Sequence, residues 1–360
     1  MINPSRLELA RRRRGWTKSR LAAELGVSVR SVSAYESGSQ QPSPGTLERI
    51  VESLGFPEAF FAAPDVEVVA PEAASFRAMA RMTASQRDQA LGAGTLALML
   101  DDWIESNFRR PAPSLPRLDD SDPETAAEVV RAEWGLGTRP VKNMVHLLER
   151  QGVRVFSLDE HGREVDAFSF WRSERPYVLL NTMKSAEHSR FDAAHELGHL
   201  VMHPDGTHGR DAEHEANQFA SAFLMPRSSL LAAGLHRATL STIVRRKREW
   251  RVSAVALVFR LHTLGVLTDW QYRSLFVQAS KKGYRTNEPN PVEHERSQVF
   301  DKVFAHTRAH GMSRRELADA VGLNVDDIDR LLFGLVLLPT SGDSSTGRQP
   351  AARDHLRLVE

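Results

Sequence analysis

The five residues His195-Glu196-Leu197-Gly198-His199 constrain this chain more than any other stretch. Two histidines four positions apart meet on a helix, where they share one face and can reach the same ion, with the intervening carboxylate projecting beside it. The neighbours agree with a helix: Phe191, Ala194, Leu197, Leu200 and Val201 supply an apolar stripe, and Ser185 is placed to cap the start. A catalytic site of this kind needs a third protein ligand and an open position for water. His203 continues the row, but it lies about 12 Å along the axis from His195 at 1.5 Å per residue, too far to join the pair on one ion. It reads as an outlying hydrogen-bond partner or a structural residue.

The third ligand is expected downstream, in the run from Asp211 to Pro226. Phe219, Phe223 and Leu224 line one face there, and Pro226 ends the helix. Glu213, Asn217 and Ala220 share another face, whereas Glu215 is turned about 200° from Glu213 at 100° per residue. Glu213 is the expected ligand, with Glu215 and His214 as runners-up. Asn217, one turn on, would hydrogen-bond a ligand imidazole. The sequence contains no Cys, which removes disulfides, thiolate zinc sites, iron–sulfur clusters and cysteine nucleophiles, so a metal must rest on His, Asp or Glu.

His195–His199 followed by a Glu-x-x-x-Asn helix ending in Leu224-Met225-Pro226 resembles the ImmA/IrrE family of metallo-endopeptidases. The approach Asn181…Arg190-Phe191-Asp192-Ala193-Ala194-His195 is part of the likeness, which covers residues 140–230. The resemblance implies one zinc ion per chain held by His195, His199 and Glu213, with Glu196 as the catalytic carboxylate. Imidazole ligands favour zinc but leave manganese open. It also implies a protein substrate, since family members cleave helix-turn-helix repressors.

A second signature lies near the N-terminus. Thr17, Leu21, Ala22, Gly26, Val27, Ser28, Val32 and Tyr35 resemble the helix-turn-helix of the XRE/Cro-like repressors. Thr17 and Ser28 would cap the two helices, and Gly26 would make the turn. The resemblance puts the second helix in the major groove, with Val29, Arg30, Ser31 and Ser33 toward base edges and Lys18 near phosphate. The net charge of only +1 means that any DNA affinity comes from a local patch. Arg11–Arg14 is either part of that patch or a solvated face of the first helix.

The segment from Gly15 to Ser28 recurs from Gly311 to Asn324 at a constant offset of 296 residues. The C-terminal copy carries Asp326, Asp327 and Asp329 where the first carries Arg30, Ser31 and Ser33. Acids repel phosphate, so this copy is expected to pack against the chain or a partner instead of reading DNA.

Length sets a prior of two or three domains. The expected fold is mainly helical α+β: an all-α helix-turn-helix domain at 1–66, a zincin-like peptidase domain with a small antiparallel sheet at 67–282, a helical region at 293–338, and a loose tail at 339–360. Runs at 153–158, 167–171 and 177–180 read as a three-strand meander, whose last strand could pair with an extended substrate if it were an edge. The oxyanion-assisting residue is unassigned, with Tyr177, His208 and His236 as weak guesses. The basic run Arg245–Arg248 reads as surface. There is no apolar signal core after Met1 and no apolar run long enough to span a bilayer, so a cytoplasmic chain is expected. The whole reads as a DNA-binding regulator carrying a zinc endopeptidase, acting on an operator as a homodimer on paired half-sites, with a protein substrate such as a repressor. The alternative is a regulator whose metal domain senses a ligand or is structural.

Overall fold

The structure, a computed structural model, describes residues 1–76, 82–158, 167–206, 209–337 and 357–358. His208, the turn at 159–162 and most of the tail from 339 lie outside these residues. No described helix is long and apolar enough to cross a membrane. The chain divides into two units, Met1–Pro111 with Phe156–Val165 and Gln298–Glu360, and Ala112–Val155 with Asp166–Ser297. The contiguous boundaries expected from sequence do not follow this division.

The first unit opens with α1 (Pro4–Arg13), α2 (Lys18–Leu25), α3 (Val29–Glu36), α4 (Pro44–Leu54) and α5 (Glu58–Ala62). Local chemistry sets the boundaries. Thr17 accepts from the Arg20 amide at 3.1 Å, Ser28 from the Ser31 amide at 3.0 Å, and Gly26 takes the left-handed turn at φ 63°. Helix α6 (Ala84–Asn107) is buried on all sides through its middle, from Ala90 to Leu98, as expected of a central helix. This is why it belongs here and not with the metal-site region. A Cβ at Gly92 would stand 3.1 Å from the Arg13 Cα, so the glycine permits α1 to lie close against α6.

The second unit runs through α7 (Pro123–Glu133), α8 (Met144–Arg150), β1 (Arg154–Ser157, shared at the division), β2 (Ala167–Arg172) and β3 (Arg175–Leu180). It continues with α9 (Ala186–Met202), α10 (Arg210–Leu224), α11 (Arg227–Ala232), α12 (Leu240–Trp250), α13 (Ala254–Thr263) and α14 (Asp269–Lys281). Strands β2 and β3 form an antiparallel hairpin with Ala167 opposite Leu180 and Phe170 opposite Tyr177. The strand order β2-β3-β1 corrects the meander: the first strand borders the third. Residues Tyr177–Leu180 are therefore flanked on both sides and offer no edge to a substrate. Tyr177 is fully buried, stacked on Phe170 at 5.0 Å.

Lys247 corrects the surface reading of Arg245–Arg248. It is buried and meets Glu187 at 2.8 Å and Glu288 at 3.0 Å, two carboxylates sharing one ammonium. Burial, opposed by the Ala254 amide and Lys247, holds the Glu288 carboxyl above its ordinary pKa. Glu295, further along the same segment, clasps Arg190 and accepts from the Met144 amide at 2.6 Å.

The first unit closes with α15 (Gln298–Ala309), α16 (Arg314–Val321) and α17 (Val325–Leu332). Helices α16 and α17 repeat α2 and α3 residue for residue, with Ser313 and Asn324 as caps and Gly322 in the left-handed turn at φ 78°. Both pack on α6. Asp327 is buried and takes a two-pronged ion pair from Arg14 at 2.7 and 2.8 Å, while the Asn324 amide donates to the Gly55 carbonyl. The second copy thus turns the start of its second helix onto the ends of α1 and α4, which flank the first copy.

Candidate metal centre

The motif helix α9 starts where expected, with Ser185 accepting from the His188 amide at 3.3 Å. From Asp192 to Met202 every residue is buried, because the helix is covered by β2, β3, α7, α8 and α10. His195 and Glu196 are fully buried and His199 nearly so. Gly198 faces α10: a Cβ there would lie 3.1 Å from Phe219 Cδ1 and 3.3 Å from Ala216 Cα. The missing side chain lets the two helices approach closely enough for a side chain of α10 to reach the histidines.

That side chain is Glu213. Its Oε2 stands 3.4 Å from His195 Nε2 and its Oε1 3.3 Å from His199 Nε2, while the two Nε2 atoms are 3.1 Å apart. In a four-coordinate site with bonds near 2.0–2.1 Å, neighbouring donors stand about 3.3 Å apart. The three donors therefore fit one small divalent ion, and among the described residues His195, His199 and Glu213 form the one such group. Burial pushes the Glu213 carboxyl up, but hydrogen bonds and charge interactions with His195 and His199 outweigh it and hold the pKa at about 2. The group is a carboxylate at any ordinary pH.

Glu196 is held from the sheet. The Ser169 hydroxyl, from β2, donates to Glu196 Oε2 at 2.6 Å in a fully buried setting. Sequence reading missed Ser169. The available signal was one small polar residue in the middle of the apolar run Ala167–Trp171. Glu215, a runner-up for the metal, instead meets His203 Nε2 at 2.9 Å, and His203 Nδ1 lies 3.2 Å from His199 Nδ1. His214 contacts Gln218 on the outer face at 2.9 Å. Asn217 differs from expectation: its amide donates to the Glu213 carbonyl at 2.7 Å, back along its own helix. His236 is exposed on the loop before α12.

In the helix-turn-helix, Val29 and Arg30 are exposed at the start of α3, and Ser31 and Ser33 are partly so. The Ser31 hydroxyl shares a 2.9 Å hydrogen bond with Ser28. Lys18 is drawn to Glu36 at 3.1 Å, and Arg20, also exposed, lies over Trp16 at 4.5 Å. The run Arg11–Arg14 serves the fold: Arg11 is paired with Glu36, Arg12 with Asp88 and Arg14 with Asp327, and Arg13 is buried. Neither of the two readings expected for it describes more than a part of it.

The fold and the site define a chain that joins a helix-turn-helix domain to a peptidase-like domain with a histidine–carboxylate centre. Residues 148–262 match the peptidase family described as the IrrE N-terminal-like domain, and residues 7–61 match the helix-turn-helix family. The chain thus carries the XRE-type and IrrE-type domains in one polypeptide, as its motifs imply. No curated protein matches it.

Proposed function

We propose that the chain is a DNA-binding transcriptional regulator whose second unit is a zinc-dependent endopeptidase, cleaving a protein substrate such as a helix-turn-helix repressor. The observation that carries this reading is the convergence of His195, His199 and Glu213 within 4.8 Å beside the buried Glu196. A structural zinc site closes its fourth position with protein, whereas a catalytic one has three protein ligands and leaves room for water. His195 and His199 would offer the Nε2 lone pairs, and Glu213 one negative charge. Zinc held there would lower the pKa of a water molecule toward about 7 and would polarise the scissile carbonyl. Manganese would be accepted by the same donors with lower affinity. Glu196 takes the proton from the attacking water and returns it to the departing nitrogen. Ser169 holds one oxygen of Glu196 and so directs the other.

The helix-turn-helix supports an operator as the second ligand, read by Val29, Arg30, Ser31 and Ser33 in the major groove. Lys18 would leave Glu36 for phosphate. A reader of paired half-sites acts as a homodimer, and a peptidase held at an operator meets a repressor bound nearby at raised effective concentration.

The test compares purified wild type with Glu196→Gln, each loaded with zinc, against helix-turn-helix repressors encoded by neighbouring genes. Cleavage is expected with wild type alone, at equal zinc content. Equal turnover by both would remove Glu196 from the mechanism. No turnover by either, across several repressors and metals, would leave a regulator without hydrolase activity.

A further inference from the structure

We infer that Glu215 and His203 form a relay that sets the tautomer of His199 and so presents its Nε2 lone pair to the metal. The inference rests on the metallopeptidase reading of the site. A carboxylate only accepts, so the 2.9 Å contact between Glu215 Oε2 and His203 Nε2 places a hydrogen on that nitrogen. In neutral imidazole the other nitrogen is then an acceptor. It faces His199 Nδ1 at 3.2 Å, which must carry the hydrogen of that contact. The relay thus favours hydrogen on His199 Nδ1 over hydrogen on Nε2 donated to Glu213, so that an arriving ion meets the Nε2 lone pair on the side where it lies 3.1 Å from His195 Nε2 and 3.3 Å from Glu213 Oε1.

The relay is also built into the backbone. His203 is the C-cap of α9, and its amide donates to the His199 carbonyl at 2.8 Å, which keeps its ring one turn beyond that of His199. Helix α10 therefore supplies two carboxylates with different tasks: Glu213 to the ion position and Glu215 to the outer imidazole. Ligand histidines commonly have their second nitrogen held by such partners, with losses of 10–100-fold in metal affinity when the partner is removed. Here the partner is a second histidine held in turn by an acid. Both residues are positioning residues, since neither meets the ion.

The experiment uses the full chain. Zinc affinity is measured by competition with a chelator, metal-free stability by thermal melting, and the His199 tautomer by nitrogen NMR. His203→Phe should weaken zinc binding roughly 10–100-fold and Glu215→Ala about 10-fold. Glu215→Gln, whose amide oxygen can still accept, should stay within about threefold of wild type. The Glu215 side chain is 45% exposed, so the metal-free melting temperature of its variants should not move. In the metal-free chain, wild type should show more His199 hydrogen on Nδ1 than Glu215→Ala does. Unchanged zinc affinity in Glu215→Ala, or a loss explained by a matching drop in metal-free stability, would overturn the relay alone. A wild type that binds no zinc would overturn both the relay and the metallopeptidase reading.

Discussion

At the scale of single residues, Ser169 makes the sharpest claim. Its hydroxyl is the 2.6 Å donor to Glu196, and hydrogen bonds to charged groups contribute about 1.5–3 kcal/mol. Replacement by alanine removes this contact from Glu196, so Ser169→Ala should lower the cleavage rate by about tenfold or more while zinc content stays at the wild-type level. Steady-state cleavage beside metal analysis checks this, and a wild-type rate would show that Glu196 is held by other means. The histidine pair and Glu196 were legible because four-residue spacing is a property of one helix. Glu213 followed from the face it shares with Asn217. Ser169 was not legible, because its partner comes from a strand 27 residues earlier and only sheet-on-helix packing brings them together. Asn217 misled for the opposite reason: a polar side chain on the right face can satisfy itself on the carbonyl four residues back.

At the scale of elements, the approach of α9 and α10 depends on Gly198. In an open helix, glycine to alanine would stabilise by about 1 kcal/mol. Here the new Cβ would sit 3.1 Å from the Phe219 ring and 3.3 Å from the Ala216 Cα, and overpacking of a dense core costs about 1–3 kcal/mol. The backbone atom has less freedom to give way than the ring, so the clash wins. Gly198→Ala should lower the melting temperature of the metal-free chain and weaken zinc binding by moving Glu213 away from the imidazoles. A variant more stable than wild type with the same zinc affinity would show that α10 can shift without consequence. Element ends were read well because caps are local: Thr17, Ser28 and Ser185 each act within one turn. Strand order was not, since β1 and β3 pair across intervening chain that periodicity does not see. Lys247 escaped likewise, its Glu187 partner lying 60 residues away.

At the scale of the whole molecule, the gapless repeat made the architecture partly legible, and the acids in its second copy pointed to packing within the chain or on a partner. What the sequence could not show is which surface those acids meet. Asp327 lies 313 residues beyond Arg14, yet the buried acid and the half-buried Arg14 form an ion pair inside one unit, and Leu317, Ala318 and Leu331 complete its core around α6. Removing one partner of such a pair costs about 3–5 kcal/mol, here reduced because Arg14 keeps the Leu54 and Gly55 carbonyls. Asp327→Ala should therefore destabilise the first unit by about 2–3 kcal/mol. A chain ending at Ser297 should lose far more, since the apolar side of α6 beneath α16 and α17 would face water. Operator binding should then fail although α3 is untouched. Arg30→Ala is the counterpart: exposed, it should weaken operator binding by roughly 1–3 kcal/mol and relax sequence preference with no change in melting. Both are measured on duplexes selected from random sequence by the full chain. If the shortened chain melts and binds like wild type, the C-terminal copy is dispensable to the DNA-reading unit, and the pair between Arg14 and Asp327 stabilises only the copy itself.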